Sequence, residues 1–239
     1  MGMRPVTLIA PTPLTRAAHV AVLVIITTTA AFLIGRYPAL PWLLPVHFKV
    51  TGAPDGWQFR TLPRVLVPVF IQLALVGALG LIGTLLRSRG HDRHEPDEPD
   101  VRAAQVASEA VVLIMTVWVA FQGCAAVALA NVWLYQRATL GPLYVPAEVT
   151  GVVFTIAIGL RAVRRLGHPS PKPFDPAHWR LGQLYRNPDD PALFVPTRDG
   201  SRWTLNFGRP VAAALLGTIL VFGALGPTII LVLVLRYRF

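Results

Sequence analysis

Long apolar runs constrain this chain more than any other feature. Five stretches carry few or no charges: 17–35, 65–86, 107–133, 147–163 and 211–235. A helix of about 20 apolar residues crosses the hydrocarbon core of a bilayer. An open sheet cannot, because its edge groups would lack partners in lipid. No series of alternating barrel-type segments is present. These runs predict an all-α polytopic membrane protein of about five transmembrane helices. Composition agrees, with 54% apolar and 14% charged residues, where a soluble domain carries about a quarter charged. The third run is longer than a span needs, which predicts tilt or extension beyond the lipid. The fourth is the shortest. The first is too long for a typical signal-peptide core and is followed by no small-residue cleavage site, so it is expected to stay.

The polar segments set the organisation. The expected membrane domain covers 1–165, an interfacial module 166–209, and the last helix with a short tail 210–239. A net charge of +10 would suggest nucleic acid in a soluble protein. Here its placement reads as a topology signal, and no nucleic-acid partner is expected. With the N-terminus inside, fifteen Lys and Arg fall on the cytoplasmic side and seven outside, which favours a cytoplasmic N-terminus and an external C-terminus by the positive-inside bias. The chain is therefore expected in the plasma membrane as a multi-pass protein.

Two segments carry hairpin signals. In loop 36–64, "VHFKV" and "WQFR" alternate around the turn formers "TGAPDG". That pattern predicts a hairpin with Val46, Phe48, Val50, Trp57 and Phe59 on an apolar face. His47, Lys49, Gln58 and Arg60 would then form a cationic face, with Asp55 at the tip. Such a patch suits a carboxylate-bearing partner. In loop 161–209, "LFVPTR" and "SRWTLNF" flank Asp199-Gly200. The spacing predicts a hairpin closed by a type I′ turn, with Phe194 opposite Leu205 and Pro196 opposite Trp203. Tyr185, Phe194, Trp203 and Phe207 would give this cytoplasmic module an aromatic surface lying against the bilayer.

Other polar groups point to less. Loop 87–106 holds His91, Asp92, His94, Glu95, Asp97 and Glu98, but its prolines and mixed charges read as a solvated linker rather than a metal site. Glu109 lies near a span end, where water is close. Gln72, Gln122 and Asn131 fit interhelical hydrogen bonding. The single cysteine, Cys124, permits no intrachain disulfide and reads as a small packed residue within the third span. No H-E-x-x-H, Walker A or G-x-S-x-G pattern occurs. Neither enzymatic activity, a metal nor a cofactor is expected.

Two motifs carry resemblances. Pro45, His47, Phe48, Gly52, Pro54, Asp55 and Trp57 in "LPWLLPVHFKVTGAPDGW" resemble the bacterial domain of unknown function 1648. Arg60 stands near the place where that family has a Lys. Its relatives include SdpI-like immunity proteins, which protect bacteria from a secreted peptide toxin and take part in signalling. Residues 179–210, "WRLGQLYRNPDDPALFVPTRDGSRWTLNFGRP", resemble domain of unknown function 5808. That pattern is carried by Trp179, Asn187, Pro188, Asp190, Trp203 and Asn206, with Asp199 and Gly200 at its turn. The resemblances imply a non-enzymatic immunity, sensory or peptide-binding protein. The alternative is an accessory subunit of a transporter or membrane enzyme. Expected partners are the lipid bilayer and either an extracellular peptide or another membrane protein.

Topology is directly testable. A membrane-impermeant maleimide applied to intact cells should label a cysteine introduced at Ala53 and fail to label one at Ser170. The reverse pattern would place loop 36–64 in the cytoplasm.

Overall fold

The computed structural model describes residues 6–49, 53–90, 98–137, 139–141, 144–169 and 174–222. Among the described residues, four helices are long and apolar enough to cross a membrane: Pro13–Ala39, Val67–Arg87, Glu98–Tyr135 and Val145–Leu166. This is the pattern of a multi-pass membrane protein. The α-helical parts are α1 (Pro13–Arg36), α2 (Leu62–Val65), α3 (Val67–Arg87), α4 (Glu98–Tyr135) and α5 (Tyr144–Leu166). A shorter apolar helix, α6, covers Pro210–Phe222. The remainder of the expected fifth span lies outside the described residues, as do His91 to Asp97.

Local chemistry sets the helix ends. Proline occupies the first turn of α1, α3, α4, α5 and α6, where its missing N–H costs nothing. Glu98 and Asp100 lie in the first turn of α4, and Arg164 and Arg165 in the last turn of α5. Both placements suit the helix dipole. Gly167, with φ +60°, follows α5 and returns its N–H to the Val163 carbonyl. At 38 residues, α4 is about 57 Å long and exceeds any hydrocarbon core.

Four two-stranded antiparallel ladders accompany the helices. They are β1 (Val6–Leu8) with β4 (Ser88–Gly90), β2 (Leu43–Phe48) with β3 (Pro54–Phe59), β5 (Trp179–Arg180) with β6 (Leu184–Tyr185), and β7 (Phe194–Pro196) with β8 (Trp203–Leu205). The chain divides into two compact units. One holds Met1–Thr12, Ala78–Val111 and Arg161–Phe239, and the other Pro13–Gly77 and Val112–Leu160. Segment 166–209 falls within the first of these units.

In the second unit, Leu33, Leu44, Val65, Val69, Ala126 and Trp133 belong to one buried cluster. Gln72 of α3 is fully buried and donates to Thr29 Oγ1 of α1 (3.2 Å) and to the Val119 carbonyl of α4 (3.0 Å). It joins three helices, as its residue type suggests. Trp118 of α4 donates to Thr155 of α5 at 3.1 Å. Cys124 is exposed on α4 rather than packed.

The first unit is built around charge. Arg89 and Asp100 are 4% and 1% exposed, so this part of loop 87–106 is not a solvated linker. Arg89 grips Asp100 through Nε (2.7 Å) and Nη2 (2.9 Å). Its Nη1 donates to the Leu86 and Ser88 carbonyls. Asp100 Oδ1 also accepts the Leu193 and Phe194 N–H groups, at 3.2 and 2.8 Å. Glu109 is buried rather than water-exposed. It accepts from Thr12 Oγ1 at 2.6 Å and from Arg165. The apolar cluster beside these charges includes Leu86, Leu193, Ala212 and Leu215.

Candidate functional site

The β2–β3 hairpin is present, but its faces differ from the simple alternation. The strand starts at Leu43, three residues before Val46. Leu43 pairs with Phe59, Leu44 with Gln58 and Pro45 with Trp57. A register shift then sets His47 opposite Gly56 and Phe48 opposite Pro54. Leu44 is fully buried in the helix cluster and fixes the inner face. Trp57 and Phe59 therefore point outward at 53% and 60% exposure, while Val46 packs inward. Two register shifts follow beyond these pairs, between Pro45 and His47 and between His47 and Phe48, and they offset each other. Trp57 and Phe59 face outward because they pair with Pro45 and Leu43 on the side opposite Leu44. The indole of Trp133 ties the hairpin to α4 by donating to the Pro45 carbonyl at 2.8 Å.

This geometry brings His47 and Asp55 together. His47 Nδ1 lies 2.5 Å from Asp55 Oδ1, and the two side chains are 68% and 30% exposed. Asp55 thus stands within β3, not at the tip. A carboxylate on one ring nitrogen orients the imidazole and leaves the other nitrogen for an incoming group. Gly56 makes the pairing possible. A Cβ there would come within 2.9 Å of His47 Cβ. Lys49 is exposed where the turn closes through its N–H to the Ala53 carbonyl at 2.8 Å. Val50 and Gly52 lie outside the described residues.

Arg60 is not on the face with His47. It donates through Nη1 to the carbonyls of Tyr37, Pro38 and Leu40, and its guanidinium stacks 4.9 Å from the centre of the Tyr37 ring. It caps the end of the first spanning helix, a favourable place for a cation.

The second motif assembles a different object. Asn206 is fully buried, and its side chain makes five hydrogen bonds. Its Nδ2 donates to the carbonyls of Asn187, Asp190 and Ala192, and its Oδ1 accepts the N–H groups of Asn187 and Gly208. Asp190 accepts from the Tyr185 hydroxyl at 3.0 Å and from the Ala192 N–H. Burial is the main cause that raises the Tyr185 pKa above its usual value. Trp179 meets the Tyr185 ring edge-on at 5.4 Å. The Trp203 indole donates to the Leu166 carbonyl. Pro188 is exposed, and the chain beside it passes so close to Gly208 that a Cβ at 208 would stand 2.4 Å from the Asn187 carbonyl carbon. Gly208 was not singled out in the sequence, although "NFG" holds it.

The β7–β8 register is the expected one: Phe194 with Leu205 and Pro196 with Trp203. The turn is not type I′, because Gly200 has a positive φ of 67° and Asp199 does not. Instead Asp199 closes a longer loop by accepting from Thr197 Oγ1 and from the N–H and hydroxyl of Ser201. These bonds hold its carboxyl well below the usual carboxylate range. The positive-φ pair sits elsewhere, at Leu181 (51°) and Gly182 (73°), in the turn between β5 and β6. Phe194 and Phe207 pack against the Leu193–Leu215 cluster rather than forming an outward aromatic surface.

The model of a family of unknown function, domain of unknown function 5808, matches residues 188–212. The match begins at Pro188 and covers β7, β8 and the Asn206 hub, but not Trp179 or Tyr185. It does not reach the β2–β3 hairpin. No curated protein and no solved structure matches the chain. Within the matched stretch, the polar motif side chains Asp190, Asp199 and Asn206 are bonded to their own module. They build its turns and its centre.

A single methyl group probes the His47 site. Overpacking of this kind costs about 1–3 kcal/mol. Gly56→Ala should therefore loosen the hairpin and speed tryptic cleavage after Lys49 in isolated membranes. Gly35→Ala, where a Cβ meets nothing within 4 Å, should leave the cleavage rate unchanged.

Proposed function

We propose that this chain is a non-enzymatic immunity, sensory or peptide-binding protein of the plasma membrane, in the SdpI-like sense. In this reading it has five spans, a cytoplasmic N-terminus and an external C-terminus. The resemblance of Pro45, His47, Phe48, Gly52, Pro54, Asp55 and Trp57 to domain of unknown function 1648 supports it. The observation that carries it is the His47–Asp55 pair at 2.5 Å, held open to solvent on a hairpin that Trp133 and Leu44 anchor. A rigid, exposed imidazole–carboxylate pair offers both an acceptor and, when protonated, a donor to a peptide. Lys49 stands nearby in sequence for a carboxylate terminus. Arg60, occupied by backbone carbonyls, serves this site by fixing the base of the hairpin.

The test is genetic. Cells expressing the chain are challenged with secreted antibacterial peptides from neighbouring strains. His47→Ala and Asp55→Ala should each abolish protection while membrane levels stay near normal, because both side chains lie outside the buried cluster. Retained protection in both variants would remove the pair from the function. Loss of the protein from the membrane would make the pair structural. Stoichiometric recovery of a transporter or membrane enzyme with the purified chain would favour an accessory role instead.

A further inference from the structure

The outer face of the β2–β3 hairpin is strongly apolar. Trp42, Leu43, Trp57, Phe59 and Leu62 are 68%, 48%, 53%, 60% and 44% exposed. Register makes them one surface. Leu43 faces Phe59 and Pro45 faces Trp57 on the side opposite Leu44, and the Trp42 ring lies 5.7 Å from that of Phe59. Contiguous apolar patches of this kind mark an interaction surface, whereas scattered exposed residues do not.

Two observations identify what covers it. The first is tethering. Only residues 40–42 separate the end of the first spanning helix from β2, and only Arg60 and Thr61 separate β3 from α2. The hairpin is thus held within a few residues of two helix ends. The nearest turns of those helices carry the same outward apolar character, at Ile34 (52%), Val67 (45%) and Phe70 (51%). The second is composition. Two tryptophans and a phenylalanine make up the face, and the Arg64 guanidinium donates to the carbonyl of one of them, Phe59. Aromatic rings at helix ends with cations beside them suit the headgroup layer, where an apolar body and a polar edge are both accommodated.

We propose that this face is immersed in the headgroup layer of the bilayer, with lipid as its occupant and Trp42, Trp57 and Phe59 as its anchors. Asp55 is exposed in the same alternation as Trp57 and Phe59, so the surface borders the His47–Asp55 pair, but it does not depend on a ligand there. It makes the hairpin an interfacial element rather than a free loop, so that a partner reaching His47 does so at the membrane surface.

The test uses the full chain in lipid nanodiscs, with Cys124→Ala as background. An environment-sensitive fluorophore is attached in turn to Trp57→Cys, Phe59→Cys and Lys49→Cys. At 57 and 59 the fluorophore should be quenched several-fold more strongly by shallow nitroxide-labelled lipids than at 49, and be shielded from aqueous iodide. Iodide access equal at all three positions would overturn the proposal. So would shielding that disappears when each disc holds one copy, since a second chain would then be the occupant. Two positions are probed so that misfolding of one variant, seen as aggregation, leaves the other to decide.

Discussion

The Asp100 carboxylate is the interaction on which the first compact unit depends. Moving an ion pair out of water costs several kcal/mol per charge, and only good geometry with further hydrogen bonds offsets it. Asp100 meets that condition. Both its oxygens bind Arg89, and one also takes two backbone N–H groups at the start of β7. Arg89 in turn closes carbonyls at the end of α3. One carboxylate therefore joins the start of α4, the end of α3 and the β7–β8 module. Glu109, about two and a half turns along, repeats the device with Thr12 and Arg165.

This arrangement gives the 5808-type segment a physical meaning. Inside the segment, Asn206 satisfies loop groups that no ladder reaches, and Gly208 admits a backbone approach that a side chain would block. Such residues specify a fold. Outside it, the buried acceptor for β7 comes from α4, about ninety residues earlier in the chain. The module is thus completed by groups that the motif does not contain. On the other unit the reverse holds. The hairpin is fixed by apolar burial at Leu44, the Trp133 indole hydrogen bond and Arg60 on the backbone carbonyls of Tyr37, Pro38 and Leu40, none of which uses the side chains of His47 and Asp55.

How much of this could be read in advance follows from range. Four of the long apolar helices were legible because hydrocarbon demands uninterrupted apolar residues. The β7–β8 register was legible because two short apolar runs flank one turn, and the exchange of a type I′ turn for an Asp199-closed loop left the pairing unchanged. The faces of β2–β3 were not legible, because the strand begins at Leu43 and its inner side is set by the burial of Leu44 among residues of distant helices, which local alternation does not show. Arg89 and Asp100 were missed since a mixed charge run carries no sign of which two residues will find each other. The Leu181-Gly182 turn was missed because leucine seldom adopts a positive φ.

Hydrogen exchange along β7 and β8 tests the central claim most directly. The full chain is compared with Asp100→Ala in lipid nanodiscs by mass spectrometry. Breaking a buried pair by removing one partner costs about 3–5 kcal/mol. Exchange across 193–205 should therefore accelerate by about two to four orders of magnitude. The exposed control Asp189→Ala should leave it as it was. Unchanged protection of 193–205 in Asp100→Ala would mean that the module holds itself together, and that the buried carboxylate does not anchor it.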